Sequence, residues 1–235
     1  MDRIFNPRHD EQEESHWLSV SDLMAGLMMV FLFISIALMI NAFKERDQIK
    51  KVAVAYQENQ VAIYDALMKE FEKDLNRWDA AIDEDTLTFT FRSPDVLFET
   101  GKIELNTKYT ALLTEFFPRF LAALEPYKDS ISEVRIEGHT SSIWNRKSSD
   151  QEAYFQNMAL SQGRTRAVLE YVYNLDSSIS EQPWIKTHVA AVGLSSSRPV
   201  LDANGNEDLA KSRRVSFRVV TNSEIQIKRI LEEAK

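Results

Sequence analysis

The sequence predicts one membrane-spanning helix followed by a small α/β domain, a sheet with helices packed on one face. Three observations carry that expectation. Residues 23–40 contain no charged side chain, and the first ionisable group after Asp22 is Lys44. The 235-residue chain as a whole has a mean hydropathy of -0.32, too polar for a polytopic membrane protein. Beyond residue 85, segments of period-two alternation succeed segments with a helical apolar stripe, the pattern of a layered α/β domain.

The elements follow in chain order. Residues 1–16 form an acidic tail with Asp10, Glu11, Glu13 and Glu14. Residues 17–43 are nearly all apolar, and their uncharged core would span about 27 Å as a helix, close to the hydrocarbon thickness of a bilayer. A cleaved signal peptide fits poorly, because the run is long, its preceding tail is acidic and no small-residue cleavage site follows. Trp17 suits the aromatic belt at a membrane interface. Only Arg3 and Arg8 precede the span, whereas Lys44, Arg46, Lys50 and Lys51 follow it. By charge bias alone, the larger C-terminal part would be cytoplasmic.

Within the span, Asp22 is the expensive residue. An ionised carboxylate in a membrane helix costs roughly 2.5–3.5 kcal/mol on insertion scales. Low dielectric favours the protonated acid, so a carboxyl group there suits proton or ion carriage. On a helix Asp22 shares a face with Gly26, Met29, Phe33 and Ile36, and Ser21 and Ala25 lie alongside. Small residues beside the acid let another helix approach closely. Ser21 is a possible neighbour on the ion path. A second reading stays open: Asp22, with Ser21, only caps the helix near the interface.

Residues 44–80 read as an amphipathic linker helix, with Ile49, Val52, Tyr56, Ile63, Leu67, Phe71, Leu75 and Trp78 at mostly helical spacing. That stripe fits either pairing with a second copy or packing on the chain's own domain. Residues 81–222 form the folded domain. Strands are expected at 86–92, 134–138, 188–193 and 213–220, and helices at 106–124, with Pro118 inside, and at 154–173. Residues 223–235 form a C-terminal tail.

Within this domain Val96-Leu-Phe-Glu-Thr-Gly-Lys-Ile-Glu-Leu105, Val134-Arg-Ile-Glu-Gly-His-Thr140, Asn157-Met-Ala-Leu-Ser-Gln-Gly-Arg164, Val192-Gly193 with Pro199, and Lys211-Ser-Arg-Arg-Val215 stand in order. Together they resemble the OmpA-like peptidoglycan-binding family. The N-terminal part is similar to the B subunits of flagellar-type stators, which carry a tryptophan and then an aspartate inside a single span. Val20-Ser-Asp-Leu-Met-Ala-Gly-Leu-Met-Met-Val-Phe31 looks closer still to the B components of the Zorya anti-phage defence system. So does Gly138-His-Thr-Ser-Ser142, in which Ser141 stands where most OmpA-like domains have aspartate.

The resemblance implies a MotB-like subunit of an ion-driven motor in the bacterial inner membrane. Its N-terminus would be cytoplasmic and its C-terminal domain periplasmic, against the charge bias. Asp22 would carry the ion, with protons favoured over sodium because only Ser21 and Asp22 offer oxygens nearby. The implied assembly is a homodimer inside a ring of MotA-like A subunits, in contact with membrane lipid and acting on cytoplasmic defence effectors indirectly. On the wall side, Arg164 would meet a carboxylate of a peptidoglycan stem peptide, with Asn157 and Leu160 on the same helix face of the binding site and Thr140, Ser141 and Ser142 as neutral hydrogen-bonding partners. The family's aspartate meets the amine of diaminopimelate, a charge that Ser141 cannot supply. One arginine of Arg213-Arg214 is expected to be structural and the other to line the ligand groove.

Several function classes fall away. The net charge of -8 argues against direct binding of nucleic acid. With no cysteine there is no disulfide, thiolate metal site or cysteine nucleophile. His139, followed by Thr140 and Ser141, invites a catalytic reading, but the segment reads better as a strand-end turn, and no enzymatic activity or cofactor is expected. A flagellar stator subunit and a non-transporting wall tether remain as alternatives to the defence motor.

Overall fold

The computed structural model describes residues 10–92 and 98–222, and side chains from Val20 onward except at a few positions near residue 54. Residues 1–9 of the expected acidic tail, the C-terminal tail, the Trp17 side chain expected at the membrane interface, and Val96 and Leu97 of the first motif lie outside what is described, whereas residues 10–16 are the first turns of a helix and not an irregular tail. The described residues form two compact units, one up to Ala53 and one from Val54 onward.

Helix α1, Asp10–Leu75, contributes to both units. In the first unit, Val20–Lys51 is long and apolar enough to cross a membrane, and its side chains are exposed throughout. Apolar residues all round a helix are what a lipid solvent selects. In the second unit the same helix carries a one-sided stripe, and Ile63, Leu67 and Phe71 are completely buried.

For Ile63, Leu67 and Phe71 the choice left open for the linker falls to their own domain, whose core they fill; Ile49, earlier in the stripe, is exposed, and the side chains of Val52 and Tyr56 lie outside what is described. The linker helix also stops short of its expected end. It finishes at Leu75, and Ala80–Asp83 is strand β1. Asp79 takes a positive φ of 46° at that junction, where a helix cannot continue.

The remaining elements are β2 (Thr88–Phe91), α2 (Thr107–Leu124), β3 (Ile131–His139), α3 (Asp150–Tyr173), α4 (Gln182–His188), β4 (Val189–Gly193), α5 (Leu209–Ser212) and β5 (Arg214–Thr221). Asn106 caps α2 by accepting from the Tyr109 N–H at 2.8 Å, and the helix runs through Pro118. The five strands lie in the order β1-β2-β5-β3-β4, with only β3 and β4 parallel. Across the register, Phe89 pairs with Phe217 and Ile136 with Phe217, which places these aromatic and branched residues on one face.

Against that face pack Phe71, Phe116 and Phe120, with Phe116 in ring contact with Phe89, Phe91 and Phe217 at 4.7, 5.1 and 5.0 Å. The opposite face carries Arg135, Glu137, His139, Ser216 and Arg218, as alternation along β3 and β5 requires.

Two glycines set where α3 lies. Gly138 and Gly193 are register partners at the ends of β3 and β4. A Cβ on Gly138 would stand 2.9 Å from the Ser161 carbonyl oxygen, and one on Gly193 would stand 2.4 Å from the Gln162 nitrogen. Only bare backbone lets the helix sit this close to the strand ends, and the closeness brings the middle of α3 to the loop after β3.

Candidate functional site

Where β3 ends, the chain turns over the middle of α3 and leaves a cleft of ≈ 260 Å³. Helix spacing explains one wall: Asn157, Leu160 and Arg164 are separated by three and four residues and share a face of α3. All three line the cleft, together with Thr140 and Ser141 from the turn after β3. The turn is fixed by backbone bonds. Thr140 N–H donates to the Ser195 carbonyl at 2.9 Å, and Leu194 N–H donates to the Gly138 carbonyl at 2.9 Å. Asn157 is buried and donates through Nδ2 to the Ser141 carbonyl at 3.0 Å, so it also braces the turn. Thr140 Oγ1 is buried with no hydrogen-bond partner among the described residues, a donor and acceptor beside the cleft.

Arg164 is 9% exposed and held in place from the loop before α2. Its Nε donates to the Lys102 carbonyl at 2.9 Å and its Nη2 to the Glu99 carbonyl at 3.2 Å. The guanidinium carbon stands 4.7 Å over the Phe98 ring. Burial pushes the phenol of nearby Tyr109 up, while the charge of Arg164 pulls it down. An arginine fixed by carbonyls and an aromatic face is preorganised to meet an anion.

Ser142 stands apart from the other expected wall residues. It is not among those lining the cleft; instead its N–H donates to Glu207 Oε1 at 3.1 Å and Oε2 at 3.3 Å, and its hydroxyl donates to Oε2. Of the terminal arginine pair, Arg213 lines the cleft. Arg214 turns to the other side, donating to the Ser212 and Arg198 carbonyls at 3.1 and 3.2 Å. Adjacent strand-end residues point to opposite faces, so one arginine of such a pair must leave the groove.

Sequence reasoning missed Thr100, Gly101, Ile143 and Trp144 in the lining. The signal for the last two was present: two large apolar residues inside the polar stretch Ser141-Ser-Ile-Trp-Asn-Arg146.

His139 lies on the sheet face away from α3. It is 4% exposed, with Nε2 3.5 Å from Glu137 Oε2, and Arg198 Nη1 lies 3.6 Å from the same oxygen. Burial lowers the His139 pKa below the ordinary histidine value, and the charges of Arg214 and Arg198 lower it further. Burial alone would raise Glu137, but its hydrogen bond with His139 and the charges of His139, Arg198 and Arg218 hold it below the ordinary carboxyl value. This packed cluster ties the loop before β5 to the sheet.

In the first unit, Ser21 and Asp22 are exposed on α1. Because α1 begins at Asp10, Asp22 lies in the helix interior and does not cap it. A Cβ on Gly26, one turn on, would meet nothing within 4 Å.

Residues 97–213 match the OmpA family. The chain is 55% identical to Zorya protein ZorB of Escherichia coli (strain Crooks) over 236 residues, covering 99% of this chain and 100% of the relative. Among solved structures, a MotB-like protein of Desulfovibrio vulgaris matches with a TM-score of 0.49 and 20% identity, covering 73% of this chain and 94% of that one. The cell wall anchor of the T6SS from Pseudomonas aeruginosa matches with a TM-score of 0.45 and 22% identity, covering 66% and 96%. An apolar spanning helix, an OmpA-type domain and identity over nearly the whole chain agree: this chain belongs to the ZorB family of Zorya proteins.

Proposed function

We propose that this chain is the B subunit of a proton-driven rotary motor complex in the bacterial inner membrane, anchored to peptidoglycan and acting in anti-phage defence. The observation that carries the reading is Asp22, an acid in the interior of a helix whose next 18 residues hold no charge. A wall tether has no use for a carboxylate there. Protonated, Asp22 is neutral and tolerates apolar neighbours; ionised, it needs water or a polar partner. Alternation between the two couples ion passage to movement of the helices around it. Each charge crossing the membrane supplies about 2.3 kcal/mol per 100 mV. The open side of the helix at Gly26 suits close approach of another helix.

In this reading two copies sit inside a ring of A subunits, the N-terminus is cytoplasmic and the folded domain is periplasmic. Arg164 and Arg213 take a stem-peptide carboxylate, and Asn157, Thr140 and Ser141 complete the cleft. The wall holds the dimer still while the ring turns, and the rotation acts on cytoplasmic effectors. Asp22→Asn should assemble with its A partner yet lose ion flux and phage protection; full protection in that variant overturns the motor reading. Arg164→Ala should lose retention on purified sacculi, and retention equal to wild type overturns the wall assignment.

A further inference from the structure

We propose that Trp144 is a ligand-specificity residue of the cleft, its indole seated on the aliphatic stem of the carboxylate-bearing peptide that the arginines hold. The assignment rests on the wall-binding reading above. The cleft offers two kinds of surface. Arg164 and Arg213 supply positive charge, whereas Ile143, Trp144 and Leu160 are apolar. Ile143 is 55% exposed and Trp144 is 37% exposed, in a loop whose other members are polar. A tryptophan left partly in water at the mouth of a cleft gains contact free energy when a ligand covers it.

The loop is braced on both sides of Trp144. Before it, the Asn157 amide holds the Ser141 carbonyl at 3.0 Å, and the Glu207 carboxylate takes the Ser142 N–H and hydroxyl. After it, Asn145 Oδ1 accepts from the Lys147 and Ser148 N–H groups at 2.8 and 2.9 Å. Trp144 is therefore set in position before any ligand arrives, which lowers the entropy cost of contact. Glu207, outside the cleft, is a positioning residue acting through Ser142. A carboxylate for the guanidinium groups and an aliphatic stem for the indole describe one ligand, a peptide side chain with a terminal carboxyl group.

The test uses the full-length chain in detergent and diaminopimelate-type muropeptides released from sacculi, with dissociation constants read by calorimetry. Trp144→Ala should bind roughly tenfold weaker, and Trp144→Phe should stay within about threefold of wild type because a flat apolar ring remains. Glu207→Ala should weaken binding about fivefold by freeing the loop, while Glu207→Gln, whose amide oxygen still accepts from the Ser142 N–H, should restore it. The Trp144→Ala loss should be equal at low and high salt, as an apolar contact requires, whereas the Arg164→Ala loss shrinks with salt. Thermal unfolding of the Trp144 and Glu207 variants should match wild type.

Arg164-dependent binding that is unchanged in Trp144→Ala overturns this assignment alone, and so does a Trp144→Phe loss as large as that of Trp144→Ala. No binding by the wild-type chain overturns the wall reading and this assignment together.

Discussion

One helix, α1, meets two different solvents, and its sequence changes grammar between them. From Val20 to Lys51 its large apolar residues are exposed on every side, Leu23 at 74% and Phe33 at 66% among them. From Ile63 to Phe71 the apolar residues recur every four positions and are completely buried. In water an apolar side chain must find a protein partner, so it is confined to one stripe. In hydrocarbon no such confinement operates, and what becomes costly is a charge. Within this chain the apolar residues of the first stretch are therefore unconfined and those of the second individually fitted, and the informative exception differs too: an acid, Asp22, in the span, and a cavity or a misfit in the domain.

The strongest way to break this contrast is Phe71→Ala against Phe33→Ala. Phe71 lies against Phe89 and Phe116 at 5.3 Å each, with the Arg119 guanidinium 4.9 Å over its ring. Its truncation should cost about 3–5 kcal/mol of domain stability, read as a lowered denaturation midpoint by near-UV circular dichroism. Phe33→Ala should leave that midpoint unchanged. Equal effects would mean that the first stretch is packed in a protein core.

How much of this was legible in advance follows the same division. The span and Asp22 were plain, because lipid imposes a signal that survives without any tertiary knowledge. The helix of residues 107–124 and the strand around Phe217 were plain too, their apolar periods being strong. Strand β1 was missed: Ala80-Ala-Ile-Asp83 is too short for alternation to register, and the amphipathic stripe before it ran on through Trp78. Of the site, Asn157, Leu160 and Arg164 were singled out by the family resemblance, and helix spacing only fixes that they share a face. Ser142 was misplaced because the turn's geometry depends on Glu207, 65 residues away. Trp144 was missed because a loop residue has no period at all.

Acid sharpens the contrast next. His139 and Glu137 are both held below their ordinary values of 6.5 and 4.5 in the folded domain. A group that is more acidic when folded contributes stability above its unfolded value and loses it as pH falls. The domain should therefore weaken as pH drops below about 6.5, through His139, and again below about 4.5, through Glu137. His139→Gln should abolish the upper step. The helical signal of the span, which owes nothing to this cluster, should persist through both. A thermal midpoint that stays flat from pH 7 to 5 would remove His139 from the account.

The smallest expected effect concerns how a helix in water begins. Helix α3 opens with a capping box: Ser149 accepts from the Glu152 N–H, and the Glu152 carboxylate accepts from the Ser149 N–H at 2.9 Å. The pair satisfies N–H groups that a helix terminus would otherwise leave unpaired, a need that water meets only in part. Ser149→Ala should cost about 1 kcal/mol of domain stability. Its further consequence is local, because the cap lies between the braced loop that carries Trp144 and the first turns of the helix that carries Asn157. Hydrogen exchange at residues 149–153 should therefore rise more than exchange at the buried strand β3. Uniform acceleration across the domain would instead mean that the cap supports the whole fold and not the helix start alone.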